Sequence, residues 1–281
     1  MNFRRVIIID LASLGIGEAS DANRFNSVGA DTLGHVASHE GINLKLPTLS
    51  KLGLGNIRFG DPILGIAPVD KPIGYFGKIH EKNTATDCQS GLREMLDYQD
   101  PIRVTSVLDP IVKYSDNYAR SIIITNYQSY FSNQNLSDII AVNKDKLAYQ
   151  SLHHEAVAPI DGLIYTKILG LQKAAVTGDF GAYVQSLREA DQQIARLINE
   201  MYKTDLLLIT ASFADDLTIS TTPTREYLPL LAYVPADPEG SSLGIRHTLA
   251  DIGSTIADVF QLDVAKESIG HSFLSELELS N

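Results

Sequence analysis

Cys88 is the one cysteine in the chain, and it stands in the polar stretch Thr86-Asp87-Cys88-Gln89-Ser90-Gly91, with Arg93 five positions on. A thiol becomes a nucleophile when a nearby cation or a helix N-terminus holds its pKa down. Arg93 is the cation available in sequence. The Cys-x4-Arg spacing is one residue short of the Cys-x5-Arg cradle that grips phosphate. The plainer reading is a small buried filler. Other candidate groups are weaker. Asp215-Asp216 could hold a cation, but two acids after a strand more often form a solvated turn. In His153-His154-Glu155 adjacent side chains diverge on a helix or a strand, so a surface or capping role fits better than joint ligation. Gly15-x-Gly17 resembles a phosphate loop with little specificity. His35 reads as structural support.

These residues need elements to position them. Val6-Ile7-Ile8-Ile9 is a β-branched run suited to a strand covered on both faces. A loop follows over Leu14–Glu18. A short helix is expected over Asp31–Glu40, entered through Asp31 or Thr32, and another piece over Leu46–Leu54 with Pro47 near its start. Lys71–His80 reads as a strand leading into a polar turn at Asn83–Ser90. Ile122–Ile124, Leu163–Tyr165, Leu206–Ile209 and Leu228–Val234 are further strands, the last with Pro229 near its start. Val184, Leu187, Ala190, Ile194, Leu197, Ile198 and Met201 recur at helical spacing. Leu249, Ile252, Ile256, Val259 and Phe260 form a closing helix. Alternation of strands and helices implies an α/β fold, a three-layer α/β/α sandwich around a mostly parallel sheet. The expected organisation is a single domain over 1–281, with 100–161 as a weakly patterned insertion.

The formal net charge is −11 and 44% of residues are hydrophobic, with a mean hydropathy of −0.01 and a pI near 5.0. An acidic chain lacks the positive surface that nucleic acid or an anionic membrane requires. No run approaches the ~18 apolar residues of a membrane span. With one cysteine there is no internal disulfide. The sequence therefore predicts a cytoplasmic protein without nucleic-acid or membrane partners.

Several stretches resemble phosphopentomutases of the alkaline phosphatase superfamily: Ser13-Leu14-Gly15-Ile16-Gly17-Glu18-Ala19, Gly29–His35, Leu46-Pro47 with Lys51–Ile57, Lys71–Tyr75, Asp205–Ala211, Thr224–Tyr233, and Ala250–Ala257 with Ser272-Phe273-Leu274. They cover 1–98 and about 162–281 in family order. The resemblance implies an alkaline phosphatase-like core with an inserted cap. It also implies two divalent metals, usually manganese, and a phosphorylated threonine that together interconvert ribose 1-phosphate and ribose 5-phosphate. A metal pair clamps the charged oxygens of the transferring group, and Asp and His are the ligands such ions select.

This chain departs from that pattern where the chemistry should be. The metal-binding Asp before the Ser-x-Gly-x-Gly loop is replaced by Ala12, with Asp10 two residues earlier. The Asp-His after Leu-Leu-Leu-Ile-Thr-Ala is replaced by Ser212-Phe213, and the His before Thr-Arg-Glu-Tyr by Pro223. A further Asp and His fall on Gly170–Leu171 and Val176, and the stretch Leu169–Val176 contains no Asp, Glu, His or Cys. Cys88 stands at the phosphorylated threonine. The interval 100–161 is much shorter than the family's cap. The expectation is a protein without a metal centre or other cofactor. Its remnant pocket would be built from Asp10, Ala12, Ser13, Asp87, Ser90, Arg93, Ser212, Phe213, Pro223 and Arg225. Three roles stay open: a non-catalytic protein that binds a protein partner or itself, a metal-independent enzyme using Cys88, and a binder of a small phosphorylated sugar or nucleoside through Arg93, Arg225 and the backbone at Ser90-Gly91.

Overall fold

A computed structural model describes residues 3–58, 60–85, 87–96, 119–126, 138–219, 223–262 and 268–277. Eight strands form one sheet: β1 Arg5–Leu11, β2 Tyr75–Ile79, β3 Ala119–Thr125, β4 Asp138–Ala141, β5 Asp161–Ile168, β6 Asp205–Thr210, β7 Leu228–Tyr233 and β8 Ser242–Arg246. Their order across the sheet is β4-β3-β5-β1-β6-β7-β2-β8. β7 runs against both its neighbours, and the other recorded pairings are parallel. The α/β class and mostly parallel sheet match the sequence expectation.

Every residue of β1 is buried, as a strand at the centre of a sheet covered on both sides must be. The described parts of the weakly patterned interval are not set apart from the core. β3 pairs with β5 and β4 with β3, so both extend the main sheet at one edge. Pro229 is accommodated because the β6–β7 ladder covers only Leu230–Tyr233. Its missing N–H therefore leaves no gap toward β6.

The helices gather in two groups. α1 (Thr32–Glu40), α2 (Pro47–Lys51), α4 (Asp145–Val157) and α5 (Gly170–Thr177) all pack on the long helix α6 (Phe180–Glu200), whereas α3 (Ser90–Met95) packs on α7 (Ala250–Val259). Each start is specified locally. Asp31 accepts a hydrogen bond from the Gly34 amide and caps α1, and Asp179 does the same for α6 through Ala182. The buried stripe of α6, Tyr183, Val184, Leu187, Ala190, Ile194 and Leu197, is the 3.6-residue repeat read from the sequence.

His153 corrects the sequence reading. It is buried, with Nδ1 2.5 Å from Glu200 and Nε2 2.8 Å from Gln193, linking α4 to α6, while His154 is exposed. The pair diverges as expected, but His153 is an interhelical bridge and neither a surface nor a capping group.

Candidate functional site

The site lies where β1, β5 and β6 end and β7 begins. Three loops meet there. The Ser13 amide donates to the Phe213 carbonyl at 3.0 Å, the Asp215 amide to Ser13 O at 3.2 Å, and the Thr224 amide to Ala214 O at 2.8 Å. Of the positions that the resemblance assigns to metal ligation, Ala12, Phe213 and Pro223 are brought together here, whereas Val176 is exposed on α5. Their chemistry is apolar: Ala12, Leu169 and Phe213 pack as a separate small cluster, with Cys88 against it. Phe213 and Pro223 join Glu81, Ala85, Asp87, Thr224 and Arg225 around a cavity of about 10 Å³, at the limit for one water.

Helix α3 brings Cys88 to this cluster. Asp87 accepts from the Gln89 and Ser90 amides at 2.7 Å each and from the Ser90 hydroxyl at 2.8 Å. Partial burial pushes the Asp87 carboxyl up, but these donors and the Arg93 charge hold it below the ordinary range. At Gly91 an added Cβ would lie 1.7 Å from Ser212 O, so a side chain there would push α3 off the loop after β6. Gln172 donates to the Cys88 sulfur at 3.1 Å. Burial pushes the thiol above its ordinary value, the charges of Asp215 and Asp87 add to this, and Lys167 and Gln172 oppose it. A cysteine nucleophile needs the opposite shift. Cys88 should therefore alkylate more slowly than a free thiol at pH 7, with a rate that climbs above pH 8. Rapid modification independent of pH between 6 and 8 would identify a thiolate instead.

The polar groups near the cluster face each other. Asp10, fully buried, accepts from Tyr165 Oη at 2.6 Å and from the Ser212 amide at 2.9 Å. Lys167 Nζ, also fully buried, is 3.6 Å from Asp10 and donates to Ser212 Oγ at 3.0 Å. Ser13 has a positive φ of 89° and a buried hydroxyl without a protein partner.

Arg225 is turned inward. It donates to Asp21 and to the Glu81 carbonyl and lies 4.4 Å over the Phe25 ring. It is 3% exposed, with Nε and Nη2 engaged and Nη1 buried 3.7 Å from Glu81 Oε2 without a hydrogen-bond partner. Arg93 is exposed on α3. Val176 is exposed on α5, and the amides at Leu169 and Gly170 are capped by Asp145 at 3.0 and 2.7 Å.

Asp215 and Asp216 are not a solvated turn. Both are buried, because the loop after β6 folds under the Ser13 loop and onto α1. Asp216 accepts from the amides of Asp31 and Thr218 at 2.7 and 2.8 Å and meets His35 Nδ1 at 2.7 Å, which bears out His35 as support. The Gly15–Gly17 loop closes on an internal carboxyl group. Glu226 accepts from the amides of Gly17 and Thr32 at 3.3 and 2.8 Å and from the Thr32 hydroxyl at 2.6 Å. Gly15 admits this carboxylate because a Cβ there would lie 2.1 Å from Glu226 Oε2. Burial raises Glu226 to about 7. It also raises Asp215 to about 7, reinforced by the Glu226 charge.

Residues 4–264 match the metalloenzyme superfamily. The chain belongs to that superfamily. A phosphopentomutase from Levilactobacillus brevis is 28% identical over 400 aligned residues, covering 99% of this chain and all of that protein. A putative sulfatase from Bacteroides thetaiotaomicron superposes with a TM-score of 0.59 at 10% identity, covering 98% of this chain and 74% of that one. An alkaline phosphatase superfamily protein from Vibrio parahaemolyticus gives 0.58 at 10% identity, covering 98% and 70%. At such identities the two structures speak for the fold, which is the alkaline phosphatase-like core.

The superfamily implies metals, and the donors present do not suit them. Ala12, Leu169 and Phe213 offer no ligand atom, and a lysine ammonium repels a cation. Among the described residues no group of three or more His, Cys, Asp or Glu converges as a metal set. The sequence missed Lys167, Tyr165 and Gln172. A lysine inside the otherwise apolar run Leu163–Ile168, apart from Thr166, was the one available signal.

Proposed function

We propose that this phosphopentomutase-like member of the metalloenzyme superfamily has given up phosphoryl transfer and acts by binding, with a protein partner or a second copy of itself as the occupant. The observation that carries this reading is the apolar closure of the loops that should hold the metal pair. Ala12, Leu169 and Phe213 pack together at the strand ends, and the cavity beside Phe213 is only about 10 Å³. Phosphoryl transfer depends on positioning and on charge stabilisation, and an apolar plug supplies neither. A shortened cap is consistent with this. The alignment to the L. brevis protein runs over 400 residues against 281 here, so much of that relative faces gaps in this chain. Among the described residues no helix is long and apolar enough to cross a membrane. A cytoplasmic setting is part of the proposal.

The test is an assay of ribose 1-phosphate and ribose 5-phosphate interconversion with excess manganese. The expected rate equals that of a protein-free blank. Turnover that scales with protein concentration and survives repurification would overturn the reading.

One observation favours a small-molecule alternative. A pocket of about 500 Å³ beside the Gly17 loop is lined by Arg58, Asp31, Asp61, Lys78 and Tyr227, among others. Arg58 is neutralised by Asp31 and Asp61, while the Lys78 ammonium lies 4.0 Å over the Tyr227 ring. Burial and the Arg58 charge push Lys78 down, so a small anion there would relieve its environment. This reading expects a pentose phosphate to raise the melting temperature, and expects Lys78→Ala to abolish the rise.

A further inference from the structure

We propose that the ammonium of Lys167 has taken the charge-balancing place of the lost metal. The strand ends of the site would then be held by a tethered cation instead of a bound one. The inference rests on the reading above that the metal pair is gone.

Lys167 on β5 stands opposite Asp10 on β1 in the parallel ladder, and both side chains have no solvent exposure. The ammonium donates to Ser212 Oγ at 3.0 Å and lies 5.2 Å from the centre of the Phe213 ring. Ser212 and Phe213 are the two positions after β6 where the resemblance expects Asp and His. The cation therefore touches the side chains that replaced two ligands. It also faces the carboxylate that remains, at 3.6 Å from Asp10 Oδ2.

A buried carboxylate without a cation is costly, since the penalty of removing a charge from water is offset only by a partner and by hydrogen bonds. Asp10 has both: Tyr165 Oη, the Ser212 amide and Lys167. Lysine suits the place because its charge is a compact point at the end of a slender stem. The other buried cation near the site, Arg225, is directed to Asp21 and Glu81. It cannot serve Asp10 at the same time. The fold would then need no divalent metal to hold β1, β5 and β6 together at this end.

The experiment compares melting temperatures of the wild type, Lys167→Met, Asp10→Asn and the double variant, each in EDTA and in millimolar manganese. The wild type should melt at the same temperature in both. Lys167→Met, which strands the Asp10 carboxylate, should melt roughly 10 °C lower. The double variant removes both charges and should melt above either single variant. If Lys167→Met does not fold, the comparison is between Asp10→Asn and the double variant. A double variant that does not fold, or melts no higher than either single, overturns the proposal, as does a Lys167→Met that melts with the wild type. A wild type stabilised by manganese and destabilised by EDTA would instead overturn the loss of the metal pair itself.

Discussion

Arg5→Ala should lower the melting temperature by about 10 °C or more, making Arg5 one of the costliest positions in the chain. Arg5 opens β1 and is 2% exposed. Its Nε and Nη2 form a fork with Asp205 at the start of β6, at 3.0 and 2.6 Å. The same guanidinium donates to the carbonyls of Ala156, Ala158 and Glu155 at 2.8, 2.9 and 3.3 Å. Those carbonyls lie at the C-terminal end of α4, where unpaired acceptors and the negative end of the helix dipole favour a cation. One side chain thus joins two central strands to a covering helix. Removing it leaves the Asp205 carboxylate buried against orphaned carbonyls. Breaking a buried pair in this way costs about 3–5 kcal/mol. Arg5→Lys should recover only part of the loss, because an ammonium cannot reproduce the planar fork. Thermal melts followed by circular dichroism decide it. An alanine variant within two or so degrees of the wild type would mean that the fork contributes little.

Stability should fall as pH rises from about 5 to about 8. Burial holds Glu81 up to about 8, with the nearby Glu94 charge adding and Arg225 opposing. Asp215 and Glu226 are each held up to about 7. In the unfolded chain all three titrate near the ordinary carboxylate range. Between those limits the folded state binds more protons, so each rise in pH removes stability until the folded groups ionise. The stabilisation is complete below the unfolded pKa and absent above about pH 8. Asp21 works in the other direction. Burial pushes it up, but Arg225 and His80 together hold it below its ordinary value, so its contribution is lost on acidification. The optimum should therefore lie near pH 5. Counting Asp215 and Glu226 as one coupled pair, the loss from pH 5 to 8 should be at least about 3 kcal/mol. Urea midpoints across that range measure it. Glu226→Gln should flatten the profile, and a midpoint that climbs toward pH 8 would contradict the assignment.

The framework was legible because periodicity and turn chemistry are local. The β-branched run at Val6–Ile9 became a fully buried central strand, and the apolar repeat from Val184 became the buried face of α6. The Asp31 cap and the position of Pro229 were also readable. The resemblance singled out Ala12, Phe213 and Pro223; Ala12 packs with Phe213, and Phe213 shares a small cavity with Pro223.

Burial set by long-range contacts was not legible. Asp215-Asp216 looks like any acidic turn until the Ser13 loop and α1 close over it. Arg225 looks like an available cation until Asp21 and Glu81, from distant segments, engage it. Lys167 gained meaning only when β1 and β5 aligned and placed it against Asp10.

On the proposed reading, a metalloenzyme-superfamily fold has been kept with its dinuclear chemistry closed off. Manganese content, measured by elemental analysis after incubation with excess manganese and exhaustive desalting, tests it most directly. The expected content is well under about 0.1 ion per chain, since Ala12, Leu169 and Phe213 offer no ligands. Retention of one or two ions per chain would contradict it.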